Sequence, residues 1–321
     1  MKEEMEVFHI ACSTDDKYIH HCCALFCSLL ENHKNVSLQL HLLTESLADQ
    51  HIALLRRLVS SYPNASLHIH YVVTDRLEYV KYRQNRPLSK AAYYRLLLAS
   101  VLDRLDKVVY LDTDMIVVGD LIPLFQLDIE NYALAAVRDV TPCSDEHRMQ
   151  LSISYQGGYF CSALMLINLV YWRQHQAEDR LLAFAKRERK VFCHDQDALN
   201  FVFKQVWFEL PPKWNKFHLH HMPCASFPTW QDRYEYRTAP MVIHFSSYNP
   251  FERCYFIPYN RLYWKYLKLS GYDYQGRFQK SSFWNRIRPA LGYYGTFLLN
   301  KIHIYPNRWY WRLSVGSHLV K

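Results

Sequence analysis

Two aspartates one residue apart follow directly on an apolar run. The segment KVVYLDTDMIVVGDL, residues 107–121, carries Asp112 and Asp114 on either side of Thr113, and a third acid, Asp120, comes later. In an extended strand alternate side chains point the same way, so the two carboxylates would repel each other unless a cation lies between them. Hard divalent cations such as Mn²⁺ and Mg²⁺ prefer oxygen ligands of this kind. Asp120 is expected to cap the turn that follows.

The tripeptide alone does not establish a metal site. Acids near strand ends also cap helices or lie solvated in turns. A metal-dependent phosphohydrolase or nucleotidyltransferase could use the same Asp-x-Asp after a strand, and it would release phosphate or pyrophosphate. The elements around the motif are therefore needed to choose between these alternatives.

The first hundred residues alternate between strand-like and helix-like patterns. This order predicts an α/β fold with a mainly parallel central sheet and helices on both faces. Ser46 with Asp49 resembles a capping box for the second helix, and Ser89 is expected to cap the third. We predict strands at 7–12, 36–43, 66–73, the start of 107–121, 132–137, 157–169 and 241–245, helices at 18–33, 47–60, 90–101 and 195–204, and an irregular but packed loop region at 211–240.

Ligands of such sheets bind beyond the carboxyl ends of the strands. Asp15 and Asp16 follow the first strand, as Asp112 and Asp114 follow the later one. Both acid pairs are therefore expected along one edge of the sheet, in one cleft. Asp16 has the alternative of capping the helix that comes next.

Six segments in chain order resemble motifs of the family 8 retaining glycosyltransferases, a group that includes bacterial lipopolysaccharide galactosyl- and glucosyltransferases and glycogenin. The resemblance covers roughly residues 6–268. It implies a single GT-A nucleotide-diphosphosugar transferase domain at 1–270, followed by a tail at 271–321. The segments are STDDKYIHHCCALFCSLLENH (13–33), AAYYRLLLASVL (91–102), KVVYLDTDMIVVGDLIPLF (107–125), YFCSALMLINLVYWR (159–173), HDQDALNFVF (194–203) and VIHFSSYNPF (242–251).

The resemblance implies that Asp112, Asp114 and His244 bind Mn²⁺, with Mg²⁺ as the alternative, and that the metal bridges the phosphates of UDP-galactose or UDP-glucose. A lone histidine at the end of an apolar strand otherwise packs or forms local hydrogen bonds. Arg95 would grip phosphate or sugar oxygens, unless it lies on a solvated helix face. The donor-binding positions implied are Asp15 and Tyr18, which correspond to uracil contacts, and Lys17, Arg95, Asp112, Thr113, Asp114, Cys161, Ser162, Ser247 and Asn249.

Asp195, Gln196 and Asp197 match the catalytic helix of the family. The first two correspond to positions that hold the donor sugar beside its anomeric carbon. Retention of configuration requires either two displacements through an enzyme nucleophile or departure and attack on one face. Glutamine is a poor nucleophile, so the resemblance favours same-face attack, with Gln196 stabilising the oxocarbenium-like centre. Asp197 is the alternative nucleophile, or else a helix-start acid favoured by the macrodipole.

The chain departs from the family pattern at three places. Lys17 stands where an asparagine is usual, and Cys161 stands where an asparagine usually contacts the sugar hydroxyls. Neither the thiol nor Ser162 beside it offers an amide's paired donor and acceptor. In HFSSYNPF the usual glycine and phosphate-binding lysine are missing, with Ser247 and Asn249 nearby. A glycan- or membrane-binding module that has lost donor binding is therefore a second alternative function.

The formal net charge of +8 resides in the last part of the chain. From residue 275 onward there are eight Lys or Arg and no acid, interleaved with aromatic and aliphatic residues. This composition suits the surface of an anionic membrane, where basic residues meet lipid phosphates and aromatics lie at the headgroups. The alternatives are packing on the domain and binding of nucleic acid, and the latter is not expected. The expected acceptor is a saccharide or lipid-linked saccharide, and the expected location is cytoplasmic, peripheral at the inner face of the cell membrane.

Other features argue against membrane-spanning or disulfide-rich classes. No apolar stretch reaches the length of a transmembrane helix, and the acidic start MKEEMEVFHIACSTDD does not have the pattern of a secretion signal. The nine cysteines contain no C-x-x-C pair, so we expect them to be reduced and without structural zinc. The histidines at 68, 70, 218, 220 and 221 are expected to be hydrogen-bonded or solvated rather than a second metal site.

Overall fold

The computed structural model describes most of residues 6–274. Within the described ranges the chain forms a seven-stranded sheet and a three-stranded sheet. Ser247, Asn249, the histidines at 218, 220 and 221, and the basic tail from residue 275 lie outside those ranges. The described residues are 6–78, 89–139, 148–154, 157–186, 194–217, 227–246 and 259–274.

The larger sheet is mainly parallel, as the sequence predicts. The strands of the described part are β1 (Val7–Ser13), β2 (Ser37–Thr44), β3 (Ala65–Tyr71), β4 (Lys107–Leu111), β5 (Met115–Val117), β6 (Leu134–Arg138), β7 (Phe160–Asn168), β8 (Trp207–Leu210), β9 (Lys216–Phe217) and β10 (Val242–His244). The large sheet has the order β3-β2-β1-β4-β7-β6-β8. Its pairs are parallel except that β7 runs antiparallel to both β4 and β6. The predicted α/β class is confirmed.

Helices cover both faces of this sheet. They are α1 (Ile19–Asn32), α2 (Asp49–Ser60), α3 (Leu98–Val101), α4 (Ile122–Phe125), α5 (Leu169–Gln174), α6 (Ala177–Lys186), α7 (His194–Phe203), α8 (Trp230–Thr238) and α9 (Asn260–Leu269). Alternate residues of β1 enter two separate cores, because side chains of a strand alternate between the faces of its sheet. Ile10 and Cys12 pack into the core that contains α1, whereas Ala11 joins the core that contains α5, α6 and α7.

The second helix is capped differently from the prediction. The residue before α2 is Ala48, whose side chain makes no cap, so the predicted capping box of Ser46 and Asp49 is wrong. Instead the Oδ1 atom of Asp16 accepts a hydrogen bond of 3.0 Å from the Ala48 N–H and lies 2.6 Å from Nδ1 of His51. An acid from the loop after β1 thus replaces a local cap. The alternative role of Asp16, capping the helix that follows it, is also wrong.

The helix predicted at 90–101 is of a different type. Ser89 accepts a hydrogen bond from the Ala91 N–H, which confirms it as the cap, but Lys90–Leu97 is a 3₁₀ helix and only α3 is α-helical. The Arg95 side chain, near the end of this 3₁₀ helix, is 4% exposed.

The region 211–240 is more regular than predicted. It contains β9 and α8, and α8 starts with a capping box formed by Thr229 and Asp232. The Pro-rich composition led to the prediction of a loop here, although the sequence contains the Thr-x-x-Asp spacing of a capping box at the start of α8.

The three-stranded sheet joins three distant parts of the chain. β10 pairs antiparallel with β5 and parallel with β9. The backbone of Val117 in β5 is held by side chains of α1: its N–H donates to Ser28 Oγ at 2.9 Å, and its carbonyl oxygen accepts from Asn32 Nδ2 at 3.1 Å. These contacts fix the small sheet beside the carboxyl edge of the large one.

Buried histidines and cysteines line the sheet and α1. His41 lies 3.0 Å from His9 and 3.0 Å from His70 through its two ring nitrogens, and His68 meets Gln39 at 2.8 Å. The prediction that His68 and His70 are hydrogen-bonded is therefore confirmed. The cysteines of the described part, at 12, 22, 23, 27 and 161, are free and buried. In the described ranges we find no helix long and apolar enough to cross a bilayer.

Two of the buried histidines make stability depend on pH. Burial lowers the pKa of His41 to about 3, and burial lowers that of His21 to about 4, although Asp114 opposes the latter. Because the unfolded chain titrates near pH 6.5, it binds more protons than the folded chain as pH falls below that value. The free energy of unfolding should therefore fall from pH 7 to pH 5, by on the order of 2 kcal/mol for each of these histidines.

Urea denaturation at pH 7.5, 6 and 5 measures this loss. In His41→Gln the free energy of unfolding should depend less steeply on pH. The exposed His175 provides the control, since His175→Gln should have the same dependence as the wild type. An unchanged slope in His41→Gln would contradict the assignment.

Candidate active site

The acid pair lies in the turn that joins β4 to β5. β4 ends at Leu111, after which the N–H of Asp112 donates to the carbonyl oxygen of Ala163 on β7 at 2.8 Å. Thr113 and Asp114 form the turn before β5. The prediction that an extended strand presents both aspartates is wrong in this detail, because the chain leaves the large sheet here and enters the small one.

Backbone pairing brings His244 to this turn. The N–H of Phe245 donates to the carbonyl oxygen of Asp114 at 2.9 Å, and Nε2 of His244 lies 3.5 Å from Asp114 Oδ1. One ligand atom each from Asp112, Asp114 and His244 lies within 4.8 Å of the others, and in the described part of the chain this is the one such cluster of acids, histidines or cysteines. Thr113 is buried, while the two aspartate side chains are 25% and 33% exposed.

The three side chains fit a divalent cation. Neighbouring ligands on an ion at about 2.1 Å lie about 3 Å apart, close to the 3.5 Å between Asp114 and His244. Two carboxylates and an imidazole suit a cation that accepts both oxygen and nitrogen, and the half-exposed acids leave room for further oxygen ligands. The predicted ligand set is thus assembled by the fold.

The charges of this cluster are strongly coupled. Burial raises the pKa of Asp112, an effect that Arg95 opposes and Asp114 strengthens. Burial also opposes ionisation of Asp114, but His244 outweighs it and holds the pKa of Asp114 below its ordinary value. The pKa of His244 is raised to about 10, because Asp114 outweighs the effect of burial. Without a cation, Asp114 and His244 therefore form an ion pair.

Arg95 is a buried cation between two acids. Its Nη2 atom contacts Asp112 Oδ1, and its Nε atom lies 3.1 Å from Asp195 Oδ2. Nη1 donates to the carbonyl oxygen of Ser162 at 2.9 Å, and the guanidinium lies 4.6 Å from the centre of the Tyr110 ring. The alternative of a solvated helix face is wrong. Its partners include two carboxylates from different elements, so Arg95 holds Asp112 and Asp195 relative to each other.

The start of α7 joins this arrangement through Ser162. The Ser162 N–H donates to Gln196 Oε1 at 3.0 Å, and its hydroxyl lies 3.3 Å from Asp195 Oδ2. Gln196 in turn donates from Nε2 to Asp139 Oδ2 at 3.0 Å. Both hydrogen-bonding ends of the Gln196 amide are thereby fixed.

Asp139 is a site residue that the sequence reasoning missed. It directly follows β6, which runs in the same direction as β1 and β4, so it lies at the same edge as Asp112. The rule that ligands bind beyond the carboxyl ends of strands could have found it, since the strand at 132–137 was predicted.

Asp197 is turned away from this group. It is 2% exposed, and its Oδ1 atom accepts a 2.6 Å hydrogen bond from the Tyr159 hydroxyl. Asn200, one turn further along α7, bonds both the N–H and the carbonyl oxygen of Phe160, at 2.7 and 2.8 Å. These contacts fasten α7 to β7.

The loop after β1 approaches the cluster from the other side. Asp15 accepts from the Tyr18 N–H at 3.0 Å and from the Ser89 hydroxyl at 2.5 Å. Burial raises the pKa of the half-buried Tyr18, with Asp114 and Asp15 adding to the effect. Lys17 is exposed, with its Nζ atom 5.9 Å from the centre of the Tyr18 ring. Asp15 thus joins the loop after β1 to Ser89, and its predicted contact with uracil stays a prediction.

Cys161 lies beside His244. It is 5% exposed, and a hydrogen bond with it contributes to the raised pKa of His244. Ser247 and Asn249 lie outside the described residues, so their predicted roles stay predictions.

The chain belongs to glycosyl transferase family 8, whose family model matches residues 9–250. With the seven-stranded sheet, this membership identifies a glycosyltransferase of the GT-A fold. The class implies a nucleotide-sugar donor and a saccharide acceptor.

Several known proteins are similar to this chain. General stress protein A of Bacillus subtilis is 27% identical over 278 residues, which cover 84% of this chain and 96% of that protein. Lipopolysaccharide 1,2-glucosyltransferase of Escherichia coli is 28% identical over 218 residues, 66% of this chain and 63% of that protein. The structure of galactosyltransferase LgtC in complex with donor and acceptor sugar analogues matches with a TM-score of 0.71 at 21% identity, over 87% of this chain and 99% of that one. The last similarity supports the fold alone.

Removing the buried guanidinium should destabilise the protein. Arg95→Gln leaves Asp112 and Asp195 without their shared counterion, and loss of one partner of a buried pair costs about 3 kcal/mol or more. Urea denaturation of the purified variant measures this loss. Lys34→Gln, which removes an exposed partner of Glu31, is the control and should cost less than about 1 kcal/mol. Equal losses in the two variants would contradict the role of Arg95.

Proposed function

We propose that this chain transfers a hexose, galactose or glucose, from a UDP-sugar to a hydroxyl of a surface glycan or lipid-linked saccharide, with retention of configuration. The observation that carries the proposal is one edge of the sheet, where the cluster of Asp112, Asp114 and His244 stands beside Asp195 and Gln196. The candidate metal ligands and the start of α7 thus meet at one guanidinium, because Arg95 contacts both Asp112 and Asp195.

The donor's diphosphate belongs at the metal cluster. Asp112, Asp114 and His244 would hold Mn²⁺, which supplies Lewis-acid stabilisation of the charge that grows on the departing UDP. The two carboxylates are partly exposed, and Asp15 and Tyr18, in the loop after β1, are proposed to contact the uracil. Mg²⁺ is the second candidate, because the acids alone suit it equally well.

The sugar belongs on the side of α7. Gln196 is held by Ser162 and Asp139, so its amide is oriented before the donor arrives. Asp195 is paired with Arg95 and lies beside the position proposed for the sugar hydroxyls.

These contacts favour attack from the face that UDP leaves. A double displacement needs a nucleophile within reach of the anomeric carbon. Asp197 is buried against Tyr159, and Asp195 is engaged by Arg95 and Ser162. Gln196 would then stabilise the oxocarbenium-like centre, and a UDP phosphate oxygen would help to deprotonate the acceptor.

The names of relatives support a hexose donor and a bacterial glycan acceptor. The Escherichia coli relative is a lipopolysaccharide 1,2-glucosyltransferase, and the matching structure is that of a galactosyltransferase. The two sugars differ in the orientation of one hydroxyl. The alternatives of a phosphohydrolase and of a donor-binding-defective module are less well supported, since the ligand set and Gln196 are both in place.

The basic tail is proposed to bring the enzyme to the inner face of the cell membrane. Its eight Lys or Arg without an acid suit anionic headgroups, each adding roughly 1 kcal/mol near the surface. A lipid-linked acceptor would be met at this surface, and no nucleic acid partner is proposed.

The metal-binding role predicts a specific loss of turnover. With Mn²⁺, the wild-type protein should release UDP from UDP-galactose or UDP-glucose, and Asp112→Asn and Asp114→Asn should reduce UDP release to background, because each removes a carboxylate charge from the cluster. A screen over UDP-sugars, read by product chromatography, also identifies the donor.

Asp120→Asn is the matched control. Asp120 accepts a hydrogen bond from the Ile122 N–H at 2.9 Å at the start of α4, as predicted, and it is outside the cluster. This variant should keep its turnover. Wild-type activity that persists in excess chelator would refute the metal requirement, and release of phosphate or pyrophosphate in place of UDP would favour the phosphohydrolase or nucleotidyltransferase.

The tail should control binding to anionic vesicles. The full chain should sediment with vesicles that contain phosphatidylglycerol, and a chain ending at Tyr274 should remain in the supernatant. Replacing Arg286, Arg288 and Lys301 with serine in the full chain should weaken binding and its dependence on salt. Unchanged sedimentation of both variants would refute the membrane role.

A further inference from the structure

His244 is held on three sides by groups from different elements. Asp114 lies 3.5 Å from its Nε2 atom, and the Phe217 ring lies 5.2 Å from its ring centre at an angle of 30°. On the third side, Oδ1 of Asn215 lies 3.2 Å from Nδ1. Phe217 limits the tilt of the imidazole, but a ring contact does not determine which ring nitrogen carries the proton.

We propose that Asn215 is a positioning residue, which presents its carbonyl oxygen to Nδ1 and thereby keeps Nε2 as the nitrogen that binds the cation. The inference rests on the proposed metal site. A neutral imidazole has one N–H and one lone pair, so an acceptor at Nδ1 requires the proton there and leaves the lone pair at Nε2. Hydrogen bonds of this kind set ring orientation and affinity in metal sites.

The opposite orientation of the Asn215 amide would be incompatible with metal binding by Nε2 of His244. If the Asn215 nitrogen faced Nδ1, that ring nitrogen would have to accept, and the proton of a neutral ring would lie at Nε2. Nε2 faces Asp114 and the cluster, so a proton there would compete directly with the cation. The oxygen orientation is the one compatible with metal binding.

Hydrogen bonding by the amide nitrogen does not explain why an asparagine occupies position 215. Asn215 is 1% exposed, and Nδ2 is buried without a hydrogen-bond partner among the groups that the structure records. A buried unpaired donor costs about 1–3 kcal/mol. The position therefore tolerates an unsatisfied donor while its oxygen contacts His244.

The surrounding backbone holds Asn215 in place. It follows the 3₁₀ turn Pro212–Trp214 and directly precedes β9, which pairs with β10 so that Phe217 stands opposite His244. The Met241 N–H also donates to the carbonyl oxygen of Lys213 at 2.8 Å. Asn215 and His244 are thus fixed on adjacent, paired segments.

Two substitutions test whether His244 requires the side-chain oxygen of Asn215 or only a side chain of this size. Asn215→Leu and Asn215→Asp both remove the unpaired amide nitrogen, but only the second keeps an acceptor for Nδ1. We would titrate the full-length wild type, both variants and His244→Gln with Mn²⁺ and follow free Mn²⁺ by electron paramagnetic resonance. Asn215→Leu should weaken binding by about 10–100-fold, and Asn215→Asp should retain it.

A spectroscopic signature distinguishes this role from a structural one. Coupling of bound Mn²⁺ to a histidine ¹⁴N nucleus should be present in the wild type and in Asn215→Asp, and absent in His244→Gln and Asn215→Leu. Melting temperatures would show whether each variant is folded. If Asn215→Leu does not fold, the ¹H–¹⁵N spectrum of the wild-type protein saturated with diamagnetic Mg²⁺, assigned with His244→Gln, should still show a proton on Nδ1 of His244.

The possible failures are distinguishable. Wild-type affinity in Asn215→Leu, equal weakening in both folded variants, or an unprotonated Nδ1 in the Mg²⁺-saturated wild type would each overturn the role of Asn215. If the wild type itself bound no Mn²⁺, the proposed metal site would fail instead.

Discussion

One buried guanidinium holds the site together. A charge removed from water is tolerated when it is paired and hydrogen-bonded, and Arg95 meets this condition through Asp112 and Asp195. These acids come from the β4–β5 turn and from α7, which are far apart in the chain. Three acids, counting Asp114, surround Arg95 and His244, so the cluster favours added positive charge from a cation. The candidate metal ligands and the start of α7 are consequently fixed relative to each other by the same residue.

Two sequence rules predicted most of the elements that position this site. They are hydrophobic periodicity and the rule that ligands bind beyond the carboxyl ends of parallel strands. The alternating pattern gave the parallel order of β1 to β4, and the rule about strand ends brought Asp15 to the edge that carries Asp112. The same rule would have found Asp139. It could not predict that Asp16 caps α2, or that 90–97 winds as a 3₁₀ helix, because tertiary contacts decide both. The small sheet was also unpredictable, since its strands of two or three residues carry too little periodicity.

The resemblance to the family identified residues that physical reasoning alone would have left ambiguous. Nothing about a lone His244 separates a ligand from a packed side chain, and its partner Asn215 had no signal in the sequence beyond a Trp-Asn pair in a Pro-rich region. Arg95 shows the converse: the family suggested a donor contact, and the structure shows a residue engaged with acids. Cys161 replaces an amide by a thiol beside His244, so recognition of the sugar hydroxyls would depend more on Ser162 and Asp195.

The three-stranded sheet has a consequence for how the protein responds to its ligands. About 130 residues separate Asp114 from His244, and only the pairing of β5 with β10 brings them together. The unfolded chain therefore contains no preformed ligand set, so a cation that binds the cluster stabilises the native state by mass action, by about 2.7 kcal/mol at a hundred times its Kd. The fraction of folded enzyme in a cell would then vary with the supply of the ion.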